Sequence, residues 1–244
     1  MPINFSTMLP YSIDYNDLIK TFENFPIFNN PNLQKNFLNH WKTTLKNADI
    51  NSIKKYKQHD NFKAILNTSI NEEFFQQKTT FGKNNIIINF NITPLIEIAE
   101  NNKQYASDTP LTYFEKSRGF VAWTPIPKID NRTPKHLPIL LVHFYNAQTF
   151  GFLLIDGNHR LTQAIKNNQK TIKTLVLSPN AMLNSNAFKS EIDKLLFIFQ
   201  NELYYLHHCK KQYQMTDKEL LKRSYLSNSK FNFLDMMPDL RADL

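Results

Sequence analysis

Large apolar residues recur at helical spacing near both ends of the chain. In the N-terminal part this spacing predicts three helices, at Tyr15 to Phe25, Leu33 to Lys46 and Asp60 to Gln77. In the C-terminal part it predicts a long helix from Phe188 to His208 and a shorter one from Thr216 to Tyr225 that opens on a capping-box pattern. We therefore expect an N-terminal helical region at residues 1–80 and a C-terminal helical region at residues 181–244.

The pattern between these regions changes to short runs of β-branched, aromatic and aliphatic residues. These runs predict strands at Ile86 to Phe90, Ile139 to Tyr145, Phe150 to Ile155 and Thr171 to Leu177. Short helices are expected at Leu95 to Asn102 and His159 to Asn167, and a proline-rich loop at residues 106–138. The predicted fold class is α/β (α+β), with a small mixed sheet at residues 82–180 flanked by the N- and C-terminal helices.

The overall composition is that of a globular protein. Hydrophobic residues make up 41% of the chain and charged residues 20%, which is too apolar for a disordered polypeptide. A single cysteine excludes a disulfide framework and fits a reducing compartment. The sequence shows neither a signal-peptide pattern nor an apolar stretch approaching the ~20 residues of a spanning helix. We therefore expect a cytoplasmic protein with no membrane partner.

The chain is basic, with a formal net charge of +8 and a pI of about 9.4. A basic surface attracts nucleotides and nucleic acids, although a solvated lysine-rich surface explains the same charge equally well. No run of five or more Lys or Arg occurs, and the densest patch is the modest Lys54-Lys55-Tyr56-Lys57. The charge alone therefore selects no partner.

One segment, Asp156-Gly157-Asn158-His159-Arg160, combines several groups suited to phosphate chemistry. It lies where a buried strand is predicted to turn into a helix, and the first amides of a helix are free donors that favour anions. Gly157 permits a sharp turn. Arg160 offers a planar fork of donors, and His159 can donate or titrate. Asp156 is a candidate ligand for magnesium or acceptor of a proton.

A purely structural explanation of this segment is available. Asp156 or Asn158 would cap the helix, and Arg160 would pair with a surface carboxylate. Capping explains Asp, Asn and Gly, but not why His159 and Arg160 follow directly at the opening of the helix. We expect Arg160 to be at least partly exposed in a concave site. A convex position for Arg160, or its pairing with a buried carboxylate that blocks access, would rule out the phosphate hypothesis.

The segment and its surroundings resemble the ParB/sulfiredoxin-like superfamily. The similarity covers residues 139–177, which contain a strand, a Gly157-x-x-Arg160 turn, a helix and an apolar strand. The turn is most similar to the Asp-Gly-His-His-Arg form of the free-serine-kinase-like members. It is also similar to the Asp-Gly-Gln-His-Arg turn of proteins associated with DNA phosphorothioation. The resemblance implies a nucleoside triphosphate, ATP or CTP, bound by Gly157, Asn158, His159 and Arg160. It also implies magnesium on Asp156, with Asp156 and His159 as catalytic residues.

Two differences from members of the superfamily reduce the number of functions that the resemblance implies. Asn158 stands where sulfiredoxins need a cysteine, so sulfiredoxin activity is not expected. The Asn-Pro-x-x-Pro-Arg-like segment of chromosome-partition proteins is also absent, as is a clear helix-turn-helix after the core. A partition role is therefore not expected either.

The predicted function is binding of a nucleotide phosphate, with NTP hydrolysis, kinase-like phosphotransfer or nuclease activity all left open. The alternative is a DNA-binding or DNA-cleaving ParB-like protein of a plasmid, phage or defence system, in which the same turn holds a backbone phosphate. A regulatory module with a vestigial turn is a third hypothesis. Homo-oligomerisation is left open by the sequence.

Other residues carry weaker signals. The adjacent His207, His208 and Cys209 point in different directions on a helix, which disfavours a shared metal. The carboxylates of Glu97, Glu100 or Glu115 could supply a general base, but solvated surface is the preferred interpretation. Tyr113 or Trp123 could stack on a nucleobase, and core packing is preferred for Trp123.

Overall fold

A computed structural model describes residues 2–7, 9–58, 73–115, 119–126, 137–144 and 151–229. The α-helices of this described part are α1 (Tyr15–Thr21), α2 (Pro31–Gln58), α3 (Ile92–Asn101), α4 (Asn158–Lys166), α5 (Pro179–Asn184), α6 (Glu191–Tyr213), α7 (Asp217–Arg223) and α8 (Tyr225–Asn228). Its strands are β1 (Ile3–Asn4), β2 (Leu9–Pro10), β3 (Phe74–Phe81), β4 (Asn84–Asn91), β5 (Ser107–Pro110), β6 (Val121–Ala122), β7 (Ile139–His143), β8 (Phe152–Asp156) and β9 (Thr171–Leu177).

The contacts divide the chain into two compact units. The first, which we call the helical unit, takes the described residues of 1–71, 76–89 and 188–244. The second, the sheet unit, takes those of 72–75 and 90–187. The N- and C-terminal helices, which the sequence pattern assigned to separate regions, thus belong to one unit.

The core of the helical unit is built where α2 meets α6. The indole of Trp41 is fully buried, and its ring centroid lies 5.5 Å from that of Phe199 on α6. Trp41 also donates its Nε1–H to Glu202 of α6 at 2.7 Å. Two of the three predicted N-terminal helices and both predicted C-terminal helices are confirmed. Thr216 and Glu219 form the expected capping box at the start of α7. Helix α2 runs further than predicted, to Gln58.

The helix predicted at Asp60 to Gln77 is wrong where the structure describes it. Residues 60–72 lie outside the described part, and from Phe74 the chain is strand β3, which pairs with β4. The aromatic and β-branched residues of β3 favour a strand. Gly82 closes the hairpin at a φ of 56°, where an added Cβ would press on the carboxylate of Asp17, so glycine is favoured there.

The sheet unit contains a five-stranded mixed sheet with the order β5-β9-β7-β8-β6. Strand β7 pairs in parallel with β9 and antiparallel with β8, and these pairings place β7 in the middle of the sheet. The first four residues of both β7 and β8 are buried, as their continuous apolar runs predict. The predicted strands and the mixed α/β fold class are confirmed. Residues 145–150, which hold the adjoining ends of two of the predicted strands and the segment between them, lie outside the described part.

The connection from β8 to β9 passes through α4. This helix buries Leu161, Thr162 and Ala164 and contacts β7 and β9. The segment Asp156 to Arg160 therefore occupies a strand-to-helix junction, as the sequence predicts, with its following helix held against the middle of the sheet.

Candidate functional site

Gly157 forms the turn between β8 and α4. Its φ is +106°, a backbone conformation that residues with a side chain rarely adopt. A Cβ added here would lie 2.8 Å from the Cβ of Ile139 on β7, closer than atoms can pack. Glycine is therefore needed so that the turn can pack on the sheet, whether or not a ligand approaches it.

The side chain of Arg160 holds the junction together. Its Nη2 lies 2.7 Å from Oδ2 of Asp156, the last residue of β8, and the two side chains are only 14% and 17% exposed. Its Nη1 donates to the carbonyl oxygens of Pro138, at 3.1 Å, and Leu137, which lead into β7. These charge-assisted hydrogen bonds to three partners give Arg160 a structural role that needs no ligand. The pairing with Asp156 argues against the expectation that Arg160 contacts phosphate directly.

Asn158 and Thr162 anchor the segment that follows β6. Oδ1 of Asn158 accepts the backbone N–H of Thr124 at 2.9 Å, and Oγ1 of Thr162 accepts that of Ile126 at 3.1 Å. Thr162 in turn donates to the carbonyl oxygen of Asn158 at 2.7 Å. The Asn158 side chain thus binds a neighbouring loop and does not cap its own helix. Thr162 was missed from the sequence because nothing local to it marks its partner.

The first turn of α4 leaves a set of donors unused. The helix has no side-chain cap, and the amides of Asn158, His159 and Arg160 make no hydrogen bond to any described residue. The side chain of His159 is exposed and forms no hydrogen bond or ion pair within the described part of the chain. Free amides at a helix N-terminus attract anions, because the helix dipole adds positive potential there. This arrangement can bind a phosphate or carboxylate oxygen.

A magnesium site built by the protein alone does not fit these residues. Among the described residues, no group of three or more His, Cys, Asp or Glu side chains is placed to hold a metal ion. The carboxylate of Asp156 already accepts a hydrogen bond from Arg160. Magnesium commonly binds through one or two carboxylates together with the phosphates of a substrate. Any role for it here would depend on phosphate oxygens.

The other residues considered from the sequence lie elsewhere. Glu97 and Glu100 are exposed on α3. On α6, Nδ1 of His207 lies 3.1 Å from the carbonyl oxygen of Pro26, and burial lowers the pKa of His208. Cys209 is buried and burial raises its pKa, so a reactive thiolate is disfavoured.

Sequence reasoning missed His143 at the end of β7. Its ring lies 4.8 Å from that of Phe152, centroid to centroid, and burial lowers its pKa to about 4. In the β7–β8 register His143 pairs with Phe152, whereas Asp156 pairs with Leu140 at the opposite end. His143 is therefore a neutral, packed side chain away from the junction, and an apolar strand gave no local signal of this.

Comparisons with known proteins identify no relative of this chain. Neither a scan against protein-family models nor searches of curated proteins and solved structures find a match to this chain. The similarity to the ParB/sulfiredoxin-like superfamily therefore remains a prediction that rests on the motif and its flanking elements. In the part of the chain that the structure describes, no helix is both long enough and apolar enough to cross a membrane.

Proposed function

We propose that the first turn of α4 binds a phosphate group of a nucleotide. The proposal rests on the backbone amides of Asn158, His159 and Arg160, whose N–H groups donate to no described residue. The exposed imidazole of His159 lies in the same helical turn. Free amides at the start of a helix, where the helix dipole adds positive potential, are a common arrangement for binding an anion.

Each residue of the junction has a distinct role in this proposal. The amides of residues 158–160 bind phosphate oxygens, and the His159 ring supplies a further donor. Gly157 sets the direction of the turn by packing on Ile139. Arg160 and Asp156 are positioning residues, because their ion pair joins the end of β8 to the start of α4. Arg160 acts through the geometry of the amides and not through its own fork of donors.

The nucleotide class is a proposal from the motif. The resemblance favours a triphosphate, ATP or CTP, and magnesium would be carried on the phosphates. His159 is the side chain best placed to touch a phosphate oxygen, since Asp156 is occupied by Arg160. Hydrolysis or phosphoryl transfer would require a base or an acceptor in addition, so the proposal is limited to binding.

The test is a titration followed by backbone amide resonances. ATP, CTP, AMP and inorganic phosphate are added to the full chain with and without magnesium, and we expect the largest shifts at residues 158–160. His159→Ala should weaken binding about tenfold or more, since a hydrogen bond to a charged group contributes about 1.5–3 kcal/mol. His40→Ala removes another exposed histidine, on α2 in the helical unit, and should leave binding unchanged.

Two results would contradict the proposal. One is an absence of shifts at residues 158–160 with every nucleotide and with phosphate at millimolar concentration. The other is tight binding of duplex DNA with a steep dependence on salt, the signature of many phosphate contacts, without any nucleotide binding. That second result would favour the DNA-binding alternative.

A further inference from the structure

The sheet unit contains a cavity that lies away from the junction between β8 and α4. Its volume is about 620 Å³, within the range of about 300–1,000 Å³ that is typical of small-molecule sites. It is lined from the opposite end of α4, by Ile165 and the residues after it. Ile165 lies about 10 Å along the helix axis from Asn158, at 1.5 Å per residue. None of residues 156–160 lines the cavity.

Apolar side chains line much of the cavity. Leu111, Phe114, Trp123 and Ile165 contribute to it, and Ile165 is 39% exposed. Trp123 is half-buried, and its Nε1–H is already donated to the carbonyl oxygen of Phe114 at 2.8 Å. That bond fixes the ring, so a ligand would meet its apolar surface and not its donor. A fixed aromatic surface beside exposed aliphatic carbon favours a flat aromatic ligand.

The rim of the cavity is polar and carries charges of both signs. Lys170 lines it, is exposed, and forms no ion pair or side-chain hydrogen bond within the described part of the chain. The backbone carbonyl of Lys170 accepts the N–H of Leu111 at 3.0 Å, which ties two walls together. Glu115 also lines the rim, but it already has an interaction within the protein. Lys170 is therefore the charged side chain of the rim that has no partner among the described residues and could pair with an anionic ligand.

We propose that this cavity binds a small planar aromatic anion, with its ring on Trp123 and Ile165 and its anionic group at Lys170. The site is separate from the first turn of α4 and does not depend on phosphate binding there. Since Lys170 is exposed, the ion pair should supply selectivity between charged and neutral ligands more than affinity. The apolar contacts should supply most of the affinity.

The test uses two probes of nearly the same shape, indole-3-acetate and the neutral indole-3-acetamide. Each is titrated into the full chain and followed by the indole N–H resonance of Trp123, assigned with Trp123→Phe, and by the amides of Ile165 and Lys170. We expect both probes to shift these resonances, with indole-3-acetate binding more tightly. Residues 158–160 should not shift.

Charge variants separate a specific contact from general attraction. Lys170→Gln should weaken indole-3-acetate binding about fivefold, the effect of one exposed ion pair, and leave indole-3-acetamide unchanged. Lys166→Gln makes the same charge change at an exposed residue of α4 that does not line the cavity, and should have no effect. Glu115→Gln should strengthen binding of the acetate slightly by removing a like charge.

Three outcomes would overturn the proposal. The first is that neither probe shifts Trp123 at millimolar concentration. The second is that Lys166→Gln weakens acetate binding as much as Lys170→Gln does, which would reduce the effect to net charge. The third is that indole-3-acetate shifts residues 158–160 instead, which would assign it to the phosphate site. Failure of nucleotides to bind at α4 would leave this proposal standing.

Discussion

The two units of this protein bury ionisable groups of opposite kind. The helical unit holds two fully buried acids on α6, and burial raises the pKa of Asp193 and of Glu202 to about 7. The sheet unit holds a base, His143, whose pKa burial lowers to about 4. In each case removal from water favours the neutral form. The same physical cause therefore gives the two units opposite responses to pH.

The buried acids of the helical unit act as shared acceptors. Glu202 accepts from the indole of Trp41 and from the backbone N–H of Tyr225, and so connects α2, α6 and α8. Asp193 accepts from the backbone and side-chain N–H groups of Asn89, at 2.9 and 2.7 Å, and so connects α6 to β4. The sheet unit achieves a similar connection with an ion pair, Asp156 and Arg160, that keeps some contact with water.

The largest effect should come from removing an acceptor in the helical unit. Glu202→Ala leaves the Trp41 and Tyr225 donors buried without an acceptor and also opens a cavity, so we expect a loss of about 4 kcal/mol in the free energy of unfolding. Urea denaturation measures this. Glu97→Ala, at an exposed carboxylate on α3, should change stability by less than about 0.5 kcal/mol. Similar losses for both variants would mean that Glu202 has no special role as an acceptor.

The pH response should distinguish the two units. Glu202 keeps its proton in the folded state up to about pH 7, whereas in the unfolded chain it ionises near its ordinary pKa of 4.5. The folded state therefore binds more protons between these values. Raising the pH from 4.5 to 7 should then lower the stability of the helical unit by about 3 kcal/mol per buried acid.

The pH dependence of stability that His143 contributes has the opposite sign. The unfolded chain binds a proton near pH 6.5, but the folded sheet unit does not until about pH 4, so its stability should fall as the pH drops through this range. Hydrogen exchange of α6 and β7 amides between pH 4.5 and 7, corrected for intrinsic exchange, tests both trends. Glu202→Gln should reduce the α6 trend by about half, because Asp193 still titrates there, and leave the β7 trend unchanged. Parallel trends in both units would contradict the contrast.

A smaller effect is expected at the ion pair of the sheet unit. Arg160→Ala removes hydrogen bonds to Asp156, Leu137 and Pro138 from a partly exposed position, so we expect a loss of about 2 kcal/mol. A double-mutant cycle with Asp156→Asn should recover much of that loss as coupling. If Arg160→Ala leaves stability unchanged but abolishes nucleotide binding, Arg160 contacts phosphate directly.

The smallest effect on stability is expected for His159→Ala. The side chain is exposed and has no partner among the described residues, so the free energy of unfolding should change by less than about 0.5 kcal/mol. Thermal unfolding checks this beside the binding titration. A clear loss of stability would show that His159 belongs to the packing of the junction, and would weaken its assignment to a ligand.

Local chemistry accounts for what could be predicted. The apolar periodicity of α1, α2 and α6, the apolar runs of β7 and β8, and the capping box at Thr216 are properties of neighbouring residues, so the sequence alone identified them. The strand-to-helix position of Gly157 is likewise local. The helix expected up to Gln77 is wrong because the helical spacing of the apolar residues outweighed the strand preference of Phe74 and Phe75 in the prediction, whereas in the structure these residues pair with β4.

Only the tertiary structure decided what the residues of the junction do. The sequence placed Asp156 and Arg160 four residues apart, but a long arginine side chain can reach many partners. Its pairing with Asp156, Leu137 and Pro138 depends on how β7 lies beside β8. The same holds for Trp123, which lines a cavity together with Ile165 from the distant helix α4. Helices and strands follow from short-range periodicity. The partners of a buried or half-buried polar side chain follow from long-range packing, which the local pattern of residues does not specify.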